Sequence, residues 1–543
     1  MERLGEADCK PIGDCAAPFP PPDATYFVDA GYADGQLDAT HFRAIAEALG
    51  AAGDGAVVAV EAGTYVENVV VASDVTIAGR CAEKVRIEAA SNSLPAVAIG
   101  SSGALALRGM TVAGGLPGIR LSGGKLEIED ALLEKNFEEG LRAIGGTTTI
   151  ARSVVRGATP TAPGAQTLGV FVYGGGHLDM SESVLSENVE AGLGMIDAGT
   201  EVTVDASIVR ATKPQKDGEG GMGVKAFDGS HLTITGSALV ENRSINLLVG
   251  GPGTVGSVST TVIRDTVMDE RFEGGLAWAV SVRKGASLAI EDSALVRNPV
   301  VALSADREGS IVGSRLTIRD GQGLGFHGLG LGATAGPGGS LELHDTALVA
   351  NLGSAVVVDG GNLFVEDSLM HATAGTAAVP GWPAGRGGSG IVATEAAHAD
   401  VQRSAITASA EVAAGAVADG TTLGLTEVLM SGTQPNGGAL YGHGLVVKDG
   451  ASATISASYF RANAGTALAF AAATGTVDVS FVQGNQVGIQ LQGGSTLRQA
   501  DPVADPPRPL EVIVSPSTYF WANGVRVGTG EVPLPDPVGD TPQ

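Results

Sequence analysis

Short stretches in which every second residue is apolar recur along most of this chain, and they fall into one frame. The frame reads Leu126-x-Ile128-x-Asp130-Ala131-x-Leu133-x-x-Asn136. It returns as Leu178-x-Met180 to Asn188, Leu232-x-Ile234 to Asn242, Leu288-x-Ile290-x-Asp292-Ser293 to Asn298, Leu341-x-Leu343-x-Asp345-Thr346 to Asn351 and Ala453-x-Ile455 to Asn463. A degenerate copy runs from Val401 to Ser409, with Ser at the Asn position, and that position recurs every 52 to 58 residues. Related runs such as Thr148 to Arg156, Val202 to Arg210, Leu316 to Asp320, Leu363 to His371 and Leu423 to Met430 divide each repeat into two halves of roughly 22 to 30 residues. Alternation of period two marks strands with one face inward and one outward. Gly, Asn, Asp and Ser separate them, residues that tolerate tight turns and left-handed backbone. Three short strands in about 22 residues make one coil of a parallel β-helix. A β-propeller fits less well, since its blades need about 40 to 50 residues and four longer strands.

Ahead of the coils the period changes. Phe42, Ile45, Ala46 and Leu49 stand at i, i+3, i+4 and i+7, which predicts one amphipathic helix with Asp38 or Thr40 as its N-cap. Such a helix would close the end of the coil stack and protect its first strand edges. The expected organisation is a Pro- and Cys-containing leader at 1–24, an N-terminal cap at 25–56, roughly sixteen coils at 57–500 with loops inserted on alternate coils, and a Pro-rich cap segment and tail at 501–543.

Composition supports an ordered chain. It has 81 glycines in 543 residues, only 4% aromatics and 17% charged residues, so the core is built from small aliphatics between many turns. A mean hydropathy of +0.20 is too apolar for disorder, and no run of 18 apolar residues predicts a transmembrane helix. The formal charge of -26 sets up repulsion from polyphosphates, which argues against nucleic acid and anionic membranes as partners. Of the three cysteines, Cys9 and Cys15 lie close together in the leader and are expected to form a small disulfide loop, which suits an oxidising compartment. Cys81 is expected to be a buried small hydrophobe. No apolar stretch of the kind that starts an export signal follows Met1, so an extracellular or cell-surface location presumes a signal upstream of Met1 or trimmed from it.

The helix, then Gly53-Asp54-Gly55, then Val57 to Val69 and Val75-Thr76-Ile77-Ala78-Gly79, resembles the entry segment of pectin-lyase-like right-handed parallel β-helix proteins. The Asn positions are similar to the asparagine ladder which that family places in a coil turn. The leader from Gly5 to Cys15 is similar to Cys-containing leaders of exported myxobacterial β-helix proteins. The resemblance implies an all-β, single-stranded right-handed parallel β-helix, or solenoid, with an N-terminal α-helical cap. It does not fix an activity, because the fold hosts lyases, hydrolases, esterases, epimerases, adhesins and inert spikes.

Asn136, Asn188, Asn242, Asn298, Asn351 and Asn463, with Asn485 a coil later, form the structural ladder, their stacked amides satisfying turn carbonyls and one another. Asp130, Asp292, Asp345 and Asp367 are turn acids. No cofactor is called for, and calcium is the metal these acids leave room for. Of the polygalacturonase motifs only Gly442-His443-Gly444 is present, and no Asp-Asp dipeptide occurs to supply an acid pair. The insertions, near 157–169, 211–223, 268–278, 320–331, 372–390 and 431–444, follow the same strand of each long half and so line one edge. Trp278, Trp382, Tyr441 and His443 are the candidates there for carbohydrate binding. Asp217, Glu219, Asp269, Glu270, Arg271, Glu273 and Asp320 crowd the same edge. An acid–base centre would use Asp269, Glu270, Arg271 and Asp320. The expected role is a non-catalytic scaffold or carbohydrate-binding surface with a polysaccharide or cell-surface glycan as partner; the alternative is a polysaccharide lyase or glycoside hydrolase acting beside the loops.

Overall fold

The computed structural model describes residues 1, 4, 8–216, 218, 220–269, 277–323, 330–375, 387–436 and 441–535. They fall into two compact units, Met1–Val262 and Ile263–Gln543. Along most of each unit short parallel strands are visited in the order A, B, C, and each pairs with its counterpart one coil away; at the ends, Tyr26–Val28 with His41–Phe42 and Thr496–Gln499 with Glu511–Val514 are consecutive strands of sheet A that pair with each other.

In the first unit one coil runs Lys125–Glu129 in sheet A, Leu132–Glu134 in sheet B and Glu139–Ile144 in sheet C; the next runs Thr147–Ala151, Val154–Arg156 and Leu168–Tyr173. The register stacks like on like. Leu126, Thr148, Leu178, Val202 and Leu232 align in sheet A, and Leu133, Val155, Leu185, Val209 and Leu239 in sheet B, all with side chains turned inward and buried. Fully burying each Leu, Ile or Val contributes about 1.5–3 kcal/mol, so the period-two pattern is itself the source of the core. The second unit repeats the arrangement, for example with Ser287–Glu291, Ala294–Val296 and Val301–Asp306. Each unit is a parallel β-helix, and it is all but free of helix.

The A-to-B corner is one residue in left-handed backbone, as at Asp130 (φ 50°), Arg152 (φ 47°), Glu182 (φ 45°), Asp292 (φ 47°) and Asp367 (φ 49°). Asp is among the few non-Gly residues that visit this region readily. A hydroxyl ladder follows it, one that the sequence reading does not single out. The amides of Ala131, Ser153, Ser183 and Ser207 donate to the hydroxyls of Ser153, Ser183, Ser207 and Ser237 at 3.0–3.1 Å. Each of those hydroxyls donates in turn to the carbonyl two residues before it. The corner amides that a coil leaves unpaired are thus satisfied by the coil beyond.

At the B-to-C corner short Asn turns alternate with the insertions. Asn136, Asn188 and Asn242 each accept an amide N–H from the preceding coil and donate Nδ2–H to a carbonyl there, Val112, Val155 and Val209 respectively. Asn298, Asn351 and Asn463 do the same in the second unit. Because an insertion separates successive Asn turns, most of these amides stitch neighbouring coils rather than stack on one another; direct amide-to-amide bonds run from Asn463 to Asn485 and from Asn485 to Asn523. Gly118, Gly169 and Gly223 make room for the ladder, since a Cβ at any of them would come within 2.5–2.7 Å of an Asn amide nitrogen.

The N-terminal region departs from expectation in two places. His41–Phe42 is a strand, and helix α1 spans Ile45–Ala51 with Ala44 at its N-cap and no side-chain cap there. Asp38 instead holds the turn at Thr40 and His41, while the helix amides of Ile45 and Ala46 are capped by the Glu67 carboxylate at 2.8 Å. A carboxylate from a later coil also suits the positive end of the helix.

The disulfide links Cys15 to Cys81, not Cys9 to Cys15, and Cys9 is an exposed free thiol. The leader is packed: Met1 and Ile12 rest on Val154, Val184 and Ile208 on the outer face of sheet B, and Arg80 lies over the Phe19 ring at 4.9 Å. Docking of the leader brings Cys15 to the buried corner residue Cys81 with a Cα–Cα distance of 5.1 Å. The bond closes a loop of 66 residues, a constraint on the unfolded chain worth about 4 kcal/mol.

Candidate functional site

The outer face of sheet C in the first unit gathers the most chemistry in one place. Its strands place Arg142, Phe171, Gly194 and Lys225 in one register row across four coils. Phe171 and Tyr173 point to the same face with ring centroids 4.7 Å apart. Gly194 leaves a gap between the Phe171 ring and Lys225, and Leu168 leans into it: a Cβ there would meet Leu168 Cδ2 at 2.2 Å.

Three carboxylates border this row where the Asn turns deliver the chain to sheet C. Glu138 and Glu190 each stand two residues beyond a ladder Asn, at φ 59° and φ 66°, a conformation that costs a non-Gly residue about 1 kcal/mol or more. Glu139 opens its strand and is fully buried. Arg142 Nη2 donates to both Glu139 oxygens at 2.7 Å and to Glu138 Oε2 at 3.2 Å. Glu190 Oε1 accepts Lys225 Nζ at 2.5 Å, and its Oε2 accepts Thr167 N–H at 2.7 Å and Gln215 Nε2–H at 2.9 Å.

These groups also hold the two insertions of this unit. Gln215 reaches from the second insertion to the first, accepting Gly164 N–H at 3.1 Å and donating to the Ala165 carbonyl at 3.0 Å. Thr161 Oγ1–H donates to Glu138 Oε1 at 2.8 Å. Burial pushes the Glu139 carboxyl up to about 7, opposed by Arg142 and assisted by the negative charge of Glu138 and Glu190. A carboxyl in that range exchanges its proton near neutral pH, beside the Arg142 guanidinium.

The residues singled out from sequence fare differently. Asp320 sits in a left-handed turn, part-exposed, and pairs with Arg319 at 2.7 Å. Asp269 is fully buried. Glu270 and Arg271 lie outside the described residues, as do Trp382, Asp217, Glu219 and Glu273. Trp278 is half-buried, packed with Met268 on Ala277, Val300, Val301, Leu331 and Val357. Tyr441, with its ring centroid 6.2 Å from His443, stands at φ 72° before the strand His443–Lys448.

His443 does not present its ring to a sugar. It is 4% exposed, its Nδ1 accepts Thr466 N–H at 3.1 Å and its Nε2–H donates to the Pro533 carbonyl at 3.1 Å. Burial lowers its pKa, and this pair of bonds requires the neutral ring. The C-terminal segment covers it.

The turn acids serve as anchors for cations of the neighbouring coil. Asp130 pairs with Arg152, Asp292 with Arg315 and Asp367 with Arg403, and the latter two carboxyls are held below their usual range by those guanidiniums. Among the described residues no group of three or more His, Cys, Asp or Glu stands in an arrangement that would hold a metal ion.

Glu139, Arg142, Glu190, Gln215 and Lys225 are absent from the sequence-derived candidates. One signal for Glu190 was present: two residues beyond the ladder Asn stand Glu138 and Glu190, where the other copies have Ser244, Val300, Gly353, Gly465 and Val487. An acid in left-handed backbone, at φ 59° and φ 66°, points to a side chain with a task.

No family model matches the chain, and no curated protein matches it. Among solved structures it is similar to a pectate lyase at 13% identity, covering 49% of this chain and 75% of that one with a TM-score of 0.37. It is similar to a periplasmic alginate epimerase at 9% identity, over 80% and 77% with a TM-score of 0.35. A mannuronic acid specific polysaccharide family 6 lyase from human gut microbiota matches at 11% identity over 86% of each chain, with a TM-score of 0.28. At these values the parallel β-helix assignment rests on the strand pairing itself.

Proposed function

We propose that this is an exported glycan-binding β-helix protein, and that the outer face of sheet C in the first unit is its binding surface. The observation that carries the reading is the row Arg142, Phe171, Gly194, Lys225 with Tyr173 beside it, a half-exposed aromatic pair between two cationic side chains on a rigid sheet. Aromatic rings offer an apolar face to a sugar ring, and the flanking cations and amides offer donors to its hydroxyl or carboxylate oxygens. Export is supported by the Cys15–Cys81 disulfide, since such bonds persist in oxidising compartments. Among the described residues no helix is long and apolar enough to cross a membrane.

A second reading, cleavage of the bound glycan, is favoured by one observation. Glu139, held near neutral protonation next to Arg142, is placed as a proton donor or acceptor once a ligand opens the surface.

Both readings are tested by incubating the full chain with neutral, acidic and uronate-containing polysaccharides, with and without calcium, following retention by affinity electrophoresis and soluble fragments by mass spectrometry. Binding that falls at least about tenfold in Phe171→Ala and Lys225→Ala supports the surface assigned. Retention unchanged in both variants, or no retention of any glycan by folded protein, overturns it. Fragments that vanish in Glu139→Gln while binding persists establish the second reading.

A further inference from the structure

We infer that the last coil of the second unit is a docking surface for a second copy of this chain, the two copies meeting tail to tail about a two-fold axis. The last coil consists of Glu511–Val514 in sheet A, Tyr519–Trp521 in sheet B and Val525–Gly528 in sheet C. In sheet A the edge is covered by a strand inserted out of order, because Glu511–Val514 pairs with Thr474–Asp478 on one side and with Thr496–Gln499 on the other. Sheets B and C have no such cover. Among the described residues Tyr519–Trp521 pairs only with Phe481–Gln483, and Val525–Gly528 only with Val487–Gln492. Among the described residues two neighbouring strand edges are therefore open, with rows of N–H and C=O groups that a further strand would pair.

The side chains around those edges are apolar. Trp521 is 71% exposed, Tyr519 60% and Phe481 54%, in a chain with only 4% aromatics. Phe481 and Tyr519 are stacked at 5.3 Å, and Tyr459 stands 6.2 Å behind Phe481, so a column of rings runs along sheet B to its last coil. Val527 aligns with the buried core residue Ile489 yet is 37% exposed, a core position that no coil among the described residues covers. At about 150–250 Å² per ring, the two exposed rings of the last coil itself, Tyr519 and Trp521, present roughly 250 Å², about a third of the ~800 Å² that each partner of a stable complex buries.

A second copy is the occupant that answers both features. An open strand edge is satisfied by another strand edge, which a glycan does not supply, and an identical chain brings the same edges and the same column of rings. Contact of like with like about a two-fold axis closes at two copies. Head-to-tail growth lacks a surface, because the first coils of the first unit are covered by α1, with Ile45 and Ala48 fully buried. The charge of -26 on each copy opposes the contact, so salt, by screening that repulsion, strengthens it.

Sedimentation velocity on the full chain, over a micromolar dilution series at low and at high salt, tests this. The expected result is a monomer–dimer equilibrium that moves toward dimer as salt rises. Trp521→Lys combined with Tyr519→Asp shifts the dissociation constant toward monomer by about thirty-fold or more, with unchanged melting by circular dichroism because both side chains are exposed. Val70→Lys, at an exposed site of the first unit, leaves the dimer intact. A monomer at every concentration and salt, a dimer that salt dissociates, or a dimer indifferent to the paired variant overturns the inference. So does a monomer whose retention on a neutral polysaccharide depends on Trp521, which assigns the surface to a glycan.

Discussion

The outer face of sheet C is built alike in both units and finished differently. In the first unit its central row holds Arg142, Phe171, Gly194 and Lys225, with carboxylates beside it. In the second unit the corresponding row reads Ser281, Ser304, Thr334 and Val357, then Val392, and further on Val446 and Ala469, all of them buried. There Leu534 packs on Val412, Val446 and Ala469, and Gln492 pairs in both directions with the backbone of Val532. One face is thus an ion-paired surface with half-exposed aromatics, and the other is a buried face of hydroxyl and apolar residues, covered at Val357 by Met268 and Trp278 and at Val446 and Ala469 by Leu534. Identical backbone geometry sets where side chains point; only their chemistry sets whether the face is left for a ligand or closed by the chain.

The largest effects should come from breaking the ionic side of that contrast. Glu190 joins both insertions of the first unit to sheet C, and its side chain is only 15% exposed, as is that of Lys225. Glu190→Leu leaves Lys225 buried without its partner and frees Thr167 and Gln215, at a cost of about 3 kcal/mol in denaturant unfolding of the first unit. Adding Lys225→Met should restore much of the loss. If Glu190→Leu alone costs under about 1 kcal/mol, the ion pair is not what holds the insertions.

Glu139 separates the two faces by pH. Its folded pKa of about 7 lies above the ordinary 4.5, so the folded state binds the extra proton between those values. The stability that this proton lends is fully present below about pH 4.5 and is lost as pH rises toward 7, up to about 3 kcal/mol for a shift of this size. Wild type should therefore lose stability relative to Glu139→Gln across that window, read from paired urea melts at each pH. Equal slopes in the two proteins would mean that the carboxyl titrates as if exposed.

How much of this was readable beforehand follows from what repeats. Leu126-x-Ile128 and its copies are inward rows of sheet A, and the Asn spacing locates one corner of every second coil, because both are dictated by coil geometry and so recur. The site does not recur. Glu139 and Arg142 share one strand and Lys225 lies three coils on; only the register sets Arg142, Phe171, Gly194 and Lys225 in one row, and no local motif records that. Loop composition pointed to His443 and Trp278, but burial by Pro533 and by Val301 and Leu331 is a long-range event. The Cys pairing failed for the same reason: proximity in sequence favoured Cys9, whereas docking of Met1 and Ile12 onto sheet B delivered Cys15 to Cys81.

The smallest effect is the sharpest test of the contrast, because it acts on the second face alone. Leu534 is only partly buried, so Leu534→Ala removes part of one apolar contact and should cost about 1 kcal/mol. Its signature is local: hydrogen exchange should quicken at Val412, Val446 and Thr466, whose amides lie under the segment, and stay unchanged at Arg142 and Phe171 in the first unit. His443 reports the same event, since releasing Pro533 returns its ring to solvent and raises its pKa toward the ordinary range, measurable from its ring proton shifts. A His443 that titrates identically in Leu534→Ala would show that Leu534 does not hold the segment, and that the closure of this face rests on Gln492 instead.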